Sequence, residues 1–359
     1  MSFASRLALA PLSSAYGAAA RARVALYRRG ALRSQAVGAP VLSVGNLTAG
    51  GTGKTPLVEW LARAVASEGR RVCVLSRGYA REHARRRLVV SDGTRVVAAA
   101  REAGDEPLLL AERLLPFGVA VVCDADRAAA ARFAIEELRS EVFVLDDGFQ
   151  HLRLARDLNV ATLDATDPWG GGRLLPAGLL REPVSQLARA DCIVITRAEL
   201  SGSLEGLRAE ASRLSGGRPL FAASTRVTGF KPVVREARAE SVGRAGMPRG
   251  AAAAFCGIGN PRAFFANLAR EGFELRCSRA FADHHAYTQQ DVDGVERAAR
   301  LNGAEVLITT AKDAVKLRGL RFGLPCYEVE IEFEIDDGRG LLGLVRRALT
   351  AGDARRLPG

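Results

Sequence analysis

An α/β fold, with a mostly parallel sheet and helices on both of its faces, is predicted by three features of this chain. From residue 41 onward, short apolar runs alternate with longer segments of helical period, the pattern of strands buried on both faces and joined by crossover helices. The first of these runs feeds a glycine-rich turn, Thr48-Ala49-Gly50-Gly51-Thr52-Gly53-Lys54-Thr55, which opens a helix. The 359 residues, 48% hydrophobic and 25% charged, suit a soluble globular protein with room for two domains.

In chain order, residues 1–38 form a basic N-terminal arm. No acidic residue precedes Glu59, whereas Arg6, Arg21, Arg23, Arg28, Arg29 and Arg33 all fall within the first 35 positions. Tyr16, Ala20, Val24, Tyr27 and Ala31 share one helical face, and Arg21, Arg28 and Arg29 project elsewhere. Such an amphipathic helix suits the surface of an anionic membrane, and it equally suits packing on the next domain. Residues 7–20 are interrupted by Pro11, Ser13, Ser14 and Gly17, short of the roughly 20 apolar residues a spanning helix needs. Arg6, residues 7–12 and Ala18-Ala19-Ala20 could spell a signal peptide, but a nucleotide site downstream belongs with cytosolic triphosphate.

Residues 39–228 read as the core domain. Strands are expected at 41–44, 71–76, 119–123, 142–145, 159–163 and 192–196, with β-like runs at 88–90 and 95–98. Helices are expected at 57–67, from Pro107 in a first helical position to 115, and at 127–138. Residues 164–189, rich in Pro and Gly, leave the sheet on a long excursion of the kind that usually carries function. A β-like stretch at 219–235 leads out of the domain, and 229–250 is an Arg-, Glu- and Gly-rich linker. Residues 251–359 form a smaller α/β unit: strands at 251–256, 273–277 and 305–309, a helix centred on Asn267, and helices at 290–301 and 341–349.

The glycine-rich turn reads as a phosphate site, although a glycine-rich turn from strand to helix can also stand without a ligand. Backbone N–H groups and the positive end of a helix dipole converge on one anion, Lys54 would reach the β- and γ-phosphates, and the Thr55 hydroxyl would complete the shell of a Mg²⁺ ion. The general spelling G-x-x-x-x-G-K-[ST] lacks its first glycine here, where Thr48 stands. Asp146-Asp147, at the end of an apolar strand, sits where a P-loop protein places its Mg²⁺ carboxylate, although two acids can also cap the following turn. An alcohol acceptor needs a carboxylate or histidine to take its proton. Asp105 and Glu106 are candidates, as helix-capping acids are too, and His284-His285 flanked by Asp283 and Tyr287 can be either a site or a surface turn. Arg173, Arg181 and Glu182, punctuated by Gly and Pro, suit a loop that grips an anion. His151 and His83 read as structural.

The formal charge of +11 asks for an anionic partner. Nucleic acid is disfavoured, because aromatic residues are only 6% and no base-stacking motif is present. Six scattered cysteines without a C-x-x-C pair read as reduced, mostly buried thiols.

Taken together, these strings resemble the tetraacyldisaccharide 4′-kinase family. The resemblance rests on Ser43 to Pro56, Ser76-Arg77-Gly78-Tyr79, Gly104-Asp105-Glu106-Pro107 and Asp146-Asp147-Gly148-Phe149-Gln150-His151. It continues through Leu180-Arg181-Glu182-Pro183, Gly257-Ile258-Gly259-Asn260-Pro261, Asp283-His284 and Thr309-Thr310-Ala311-Lys312-Asp313. It implies a P-loop kinase with a smaller C-terminal domain closing over the site. The implied reaction moves the γ-phosphate of ATP to the 4′-hydroxyl of a tetraacylated glucosamine disaccharide 1-phosphate, a lipid A precursor, at the cytoplasmic face of the inner membrane. The N-terminal helix would lie at the membrane surface, peripheral or monotopic. Lys54 would act on the phosphates, Thr55 and a carboxylate among Asp146, Asp147 and Glu106 on Mg²⁺, and Asp105 with His284 as the dyad that activates the hydroxyl. Arg181 would complete the phosphate surroundings. A rival P-loop reading, a regulatory GTPase or metal-insertion ATPase, would want a base-reading Asn- or Thr-Lys-x-Asp; the nearest string, Thr196-Arg197-Ala198-Glu199, departs at two places.

Overall fold

The computed structural model describes residues 9–78, 81, 86–233, 242–243 and 251–354. Arg6, Tyr79, His83 and most of the expected linker lie outside them. Helix α1 (Ala10–Arg28) leads to strand β1 (Val41–Asn46), which the phosphate turn joins to α2 (Lys54–Ser67). Next come β2 (Val72–Ser76), β3 (Leu88–Ser91), α3 (Asp105–Leu114), β4 (Ala120–Cys123), α4 (Arg127–Leu138), β5 (Val142–Leu145), β6 (Leu158–Asp164) and β7 (Cys192–Thr196). The chain continues with α5 (Leu204–Ser215), β8 (Leu220–Pro232), β9 (Val242–Gly243), β10 (Ala252–Cys256), α6 (Pro261–Arg270) and β11 (Leu275–Ala280). It closes with α7 (Gln289–Leu301), β12 (Val306–Thr309), α8 (Ala311–Leu317), β13 (Cys326–Ile335) and α9 (Gly338–Ala354).

The strands make one sheet in the order β11-β10-β12-β13-β8-β7-β6-β1-β5-β2-β4-β3, with β9 beside β8. Its two halves are parallel apart from the pairs β3–β4 and β8–β9, and they meet at the antiparallel pair β8–β13. Strand β8 belongs to both: Leu220 to Ala222 pair with β7, and Ala223 to Pro232 pair with β13. Strands β1, β2, β5 and β7 are buried at every residue, which is why they read as unbroken apolar runs. Strand β13 alternates Glu328, Glu330, Glu332 and Glu334 with Val329, Ile331 and Phe333, the period of a strand with one wet face.

Helices cover both faces of the first half. Leu57 and Leu61 of α2, with Leu110 and Leu114 of α3, pack on Leu42 and Val44, while Ala128, Ala131 and Ala134 of α4 pack on Val41, Cys73 and Phe143 across the sheet. The Asp126 side chain caps α4 by accepting from the Ala128 and Ala129 N–H groups. All six cysteines are free, five of them buried.

Several expectations are corrected. Residues 95–98 make a single bridge, Ser91 to Val96, rather than a strand, and α3 begins at Asp105, so Pro107 occupies its third position. Helices α5 and α8 and strand β13 have no counterpart in the sequence reading. Helix α9 does not stay with the C-terminal strands: Leu341, Val345, Ala348 and Leu349 join the core of the first half. Leu341 is fully buried there, so Leu341→Ala is expected to cost about 2–5 kcal/mol, read as a lower urea midpoint.

Helix α1 turns Gly17 and Val24 onto the protein, with Ala20 and Tyr27 half-buried, so the face expected to meet a membrane is largely used for packing. The Ser13 hydroxyl donates to the Leu174 carbonyl at 2.8 Å and accepts from the Ala177 N–H at 3.1 Å, fastening α1 to the 164–189 excursion. Leu12, Tyr16 and Leu26 are 59%, 38% and 43% exposed. At 3.6 residues per turn they fall within an arc of roughly 80°. No helix among the described residues is long and apolar enough to cross a membrane.

Candidate active site

The site gathers at the carboxyl ends of the central strands. Gly50 and Gly53 take left-handed φ angles of 108° and 72° between β1 and α2, conformations that a side chain would strain. Asn46, the last residue of β1, holds the Thr48 that stands in place of the usual glycine: its Nδ2 donates to the Thr48 carbonyl at 2.6 Å and hydroxyl at 3.0 Å. Thr48 also bridges to Leu180, tying the turn to the excursion that carries Arg181. The Thr52 side chain is buried beside Thr162, and its carbonyl accepts from the Thr196 hydroxyl at 2.8 Å. Lys54 Nζ donates to Asn46 Oδ1 at 3.0 Å and lies 3.6 Å from Asp147 Oδ1.

Asp146 and Asp147 divide their surroundings. Asp146 is buried and accepts from the Ser76 hydroxyl at 3.1 Å. Burial, then Glu106 and Asp147, raise its carboxyl well above the usual range, with Lys54 opposing them. Burial also pushes Asp147 upward, but Lys54 and Arg181 outweigh it and hold the carboxyl low; Arg181 Nη1 donates to Asp147 Oδ2 at 2.6 Å. Glu106 accepts from Lys312 Nζ at 2.9 Å.

The C-terminal half supplies the partner of Asp105. His284 Nδ1 lies 2.9 Å from Asp105 Oδ1 and 3.1 Å from Oδ2, and the histidine backbone is left-handed with φ 59°. Lys316 and Lys312 stand 3.5 and 3.9 Å from Asp105 Oδ2. Burial pushes the Asp105 carboxyl up, but the His284 hydrogen bond and the charges of Lys312, His284 and Lys316 hold it at about 2. The same hydrogen bond raises His284 above 6.5, against burial and Lys312. Of the vicinal pair, His284 is therefore the one on Asp105; His285 Nε2 is 3.2 Å from Asp291 Oδ2 and its ring stacks on Phe281.

Lys54, Thr55, Asp146, Asp147, Arg181 and His284 line one cleft of about 890 Å³. Tyr16 and Arg23 of α1 line it as well. Asp105 is not itself in the lining and meets the cleft through His284, whereas Arg173 is exposed outside the lining and the buried Glu182 is bound to Arg189. Arg127, which the sequence reading passed over, does join. It is buried at the start of α4, and burial and Arg77 lower its pKa while Asp146 and Asp147 oppose the shift. Its signal was positional, a cation just past the carboxyl end of a buried parallel strand. His151 also borders the cleft, held neutral by burial and Arg127 with its pKa at about 4. The Gly257-Ile258-Gly259-Asn260-Pro261 string closes on the phosphate turn: a Cβ on Gly259 would lie 2.3 Å from the Gly51 nitrogen.

The residues fit Mg²⁺ as P-loop proteins hold it. Among the described residues no three His, Cys, Asp or Glu side chains cluster closely enough to cage a metal, whereas this ion needs one or two carboxylates, a hydroxyl, waters and phosphates. Asp146, a buried carboxyl at the end of β5, lines the same cleft as Thr55.

A phosphate-cradling turn, a strand-end acid pair and an acid–histidine dyad in one cleft define a P-loop kinase. The family profile described as LpxK, tetraacyldisaccharide-1-P 4′-kinase, matches residues 5–349. Tetraacyldisaccharide 4′-kinase of Geobacter metallireducens is 42% identical over 346 residues, 95% of this chain and 97% of that protein. The protein of that name from Anaeromyxobacter dehalogenans is 45% identical over 316 residues, 87% of this chain and 82% of its own length. The crystal structure of "apo" form LpxK from Aquifex aeolicus in complex with ATP superposes with a TM-score of 0.76 at 33% identity, covering 96% of this chain and 99% of that one. The chain belongs to the tetraacyldisaccharide 4′-kinase family. It is an ATP-dependent kinase that phosphorylates a hydroxyl of the lipid A precursor in lipopolysaccharide biosynthesis.

Proposed function

We propose that the cleft performs this transfer to the 4′-hydroxyl of the tetraacylated disaccharide 1-phosphate with Asp105 and His284 as its base. The observation that carries the reading is the 2.9 Å contact by which the buried Asp105 holds His284, which lines the cleft that also holds Lys54 and Asp146. With Nδ1 turned to Asp105, the imidazole presents Nε2 as acceptor. The hydroxyl proton passes to Nε2, the oxygen forms its bond to the γ-phosphorus, and the bond from that phosphorus to the β–γ bridging oxygen breaks to leave ADP. Residues 48–55 cradle the phosphates through their backbone, and Lys54 and Arg181 stabilise charge on the transferred group. The expected core domain and C-terminal unit close over the site through the contact of Gly259 with Gly51.

Thr55 and Asp146 are the residues that would hold Mg²⁺, which would supply positive charge to offset that of the phosphates. Asp147 and Glu106, although expected beside it, are engaged by Arg181 and Lys312. Asp146→Asn should therefore raise the half-saturating Mg²⁺ concentration at least about tenfold, by the worth of a charge-assisted contact, and Glu106→Gln should do so far less. Equal effects in a Mg²⁺ titration of turnover would reject this assignment.

The membrane contact is the exposed stripe of α1, Leu12, Tyr16 and Leu26, with Arg21, Arg28 and Arg29 nearby. Tyr16 belongs to both stripe and cleft, so a lipid bound there keeps its acyl chains in the bilayer of the cytoplasmic leaflet while its sugar reaches His284. In sedimentation with anionic vesicles, Leu12→Asp with Leu26→Asp should release the protein. Each arginine removed should lower partitioning about fivefold, from about 1 kcal/mol per cation.

A further inference from the structure

Lys316, on α8, is a cation that the transfer described above leaves without a task. It does not line the phosphate cleft, and only 14% of its side chain is exposed. Its Nζ lies 2.9 Å from Asp313 Oδ1, one turn back on the same helix, and 3.5 Å from Asp105 Oδ2, across the junction of the two halves. The Tyr287 ring closes a third side, its centroid 5.3 Å from Nζ. These contacts belong to a closed ring. Asp105 meets His284 Nδ1 at 2.9 Å, the His284 backbone N–H donates to the Gly257 carbonyl at 3.2 Å, and the Gly257 N–H donates to Asp313 Oδ2 at 3.1 Å. Lys316 completes the circuit from Asp313 back to Asp105. Asp313 is fully buried and also accepts from the Thr310 hydroxyl at 2.7 Å, so the anchor of the lysine is itself fixed. Lys312, 3.9 Å from Asp105, is committed to Glu106 at 2.9 Å and Asp283 at 3.2 Å.

We propose that Lys316 is a positioning residue for phosphoryl transfer: braced by Asp313, it holds Asp105 Oδ2 so that the carboxylate stays turned to His284 Nδ1. The inference rests on the Asp105–His284 base described above and adds what keeps that base in place. The need is greatest before the proton moves. The imidazole is then neutral and binds the carboxylate less strongly than a lysine does, because hydrogen bonds between two ionised groups are the stronger ones. Without Lys316, the remaining cation beside Asp105 is Lys312, whose attraction competes with the imidazole for the carboxylate. A cation fixed on Oδ2 from the C-terminal half removes that competition. The same ring fixes the histidine through its backbone, so both members of the dyad are set by Asp313.

Single-turnover transfer from γ-labelled ATP to the lipid, followed across pH with the full chain, tests this in Lys316→Met, Asp105→Asn and the double variant Lys316→Met/Asp313→Asn. Lys316→Met should slow transfer about 10- to 100-fold, the scale for a misplaced catalytic group, with ATP affinity within about threefold of the unmodified protein. The imidazole is faced by Asp105 and Asp283, which raise its pKa, and by Lys312, which together with burial lowers it. Loosening Asp105 should therefore move the pH limb of the rate to lower values in Lys316→Met. Loss of a positive charge alone would move the limb up, and a purely structural loss would leave it in place; either result overturns the proposal. The single variant leaves Asp313 a buried charge without its cation, which costs stability, whereas the double variant removes both charges and so keeps the test open if the single one does not fold. The double variant should stay slow, with its limb low. Recovery of the unmodified rate there would overturn the proposal by assigning Lys316 to Asp313 alone. Transfer by Asp105→Asn at the unmodified rate would contradict the dyad itself, whereas a slow Asp105→Asn beside a fast Lys316→Met would contradict only the role of the lysine.

Discussion

Asp105→Asn should lower turnover by about 10²- to 10⁴-fold, the usual contribution of general-base catalysis, while the affinity for ATP stays near that of the unmodified protein. Asp105 is buried with its oxygens facing His284, Lys312 and Lys316, so its role is to orient and charge the imidazole rather than to touch nucleotide. The pH dependence separates this from a structural role. His284 must be neutral to accept a proton, and its pKa is raised above 6.5 chiefly by the Asp105 hydrogen bond. The rate should therefore climb with pH along a limb centred above 6.5. In Asp105→Asn the leading cause of elevation is gone while burial and Lys312 still push downward against Asp283, so the limb should shift to lower pH.

Stability runs the other way. A histidine raised on folding contributes stability that is fully present below 6.5 and is lost as pH rises through its folded value. Asp105, lowered to about 2, contributes stability that is present above 3.8 and is lost as pH falls toward 2. The pair should thus stabilise the junction of the two halves most between about 3.8 and 6.5, and the enzyme should work fastest where that support is weakening. Denaturation of Asp105→Asn should lose most of this pH dependence.

Lys54→Ala should behave differently, with ATP affinity and turnover falling together and kcat/KM dropping about 10²- to 10³-fold, the scale for removing one preorganised donor. Lys54 stands between Asn46 Oδ1 and Asp147 Oδ1, at the mouth of the turn that would hold the phosphates. Lys54→Met, which keeps most of the volume, should match Lys54→Ala in ATP titrations. Recovery of ATP binding in the methionine variant would show that the alanine acts by collapse of the turn rather than by loss of charge.

The parts of this site that were legible in the sequence are local in the chain. The phosphate turn, the Asp146-Asp147 pair and the Asp105-Glu106 pair each sit at the junction of a periodic apolar segment and a polar one, and the fold's parallel strands bring such junctions to one edge. What joins Asp105 to His284 across 179 residues is tertiary, and the vicinal His285 had equal standing until its bond to Asp291 was visible. Arg127 was hidden because an arginine at a helix start looks like a surface cation until its burial is known. Strand β13 was readable from its alternating glutamates. Helix α5 was readable as well, since Ser203 caps its start and Gly216 ends it in a left-handed turn. The return of α9 to the first half was not readable, because amphipathic spacing reveals which face is buried but not against which sheet.

The most direct test of the account is single-turnover transfer from γ-labelled ATP to detergent-solubilised tetraacyldisaccharide 1-phosphate, with Mg²⁺, by the unmodified protein, Asp105→Ala and His284→Ala. The account predicts rapid labelling of the lipid by the unmodified protein. It predicts labelling at least about 100-fold slower in both variants at saturating ATP, with ATP affinity retained. Labelling at the unmodified rate in either variant, or loss of ATP binding in step with transfer, would contradict the dyad and move Asp105 to the metal or to the scaffold.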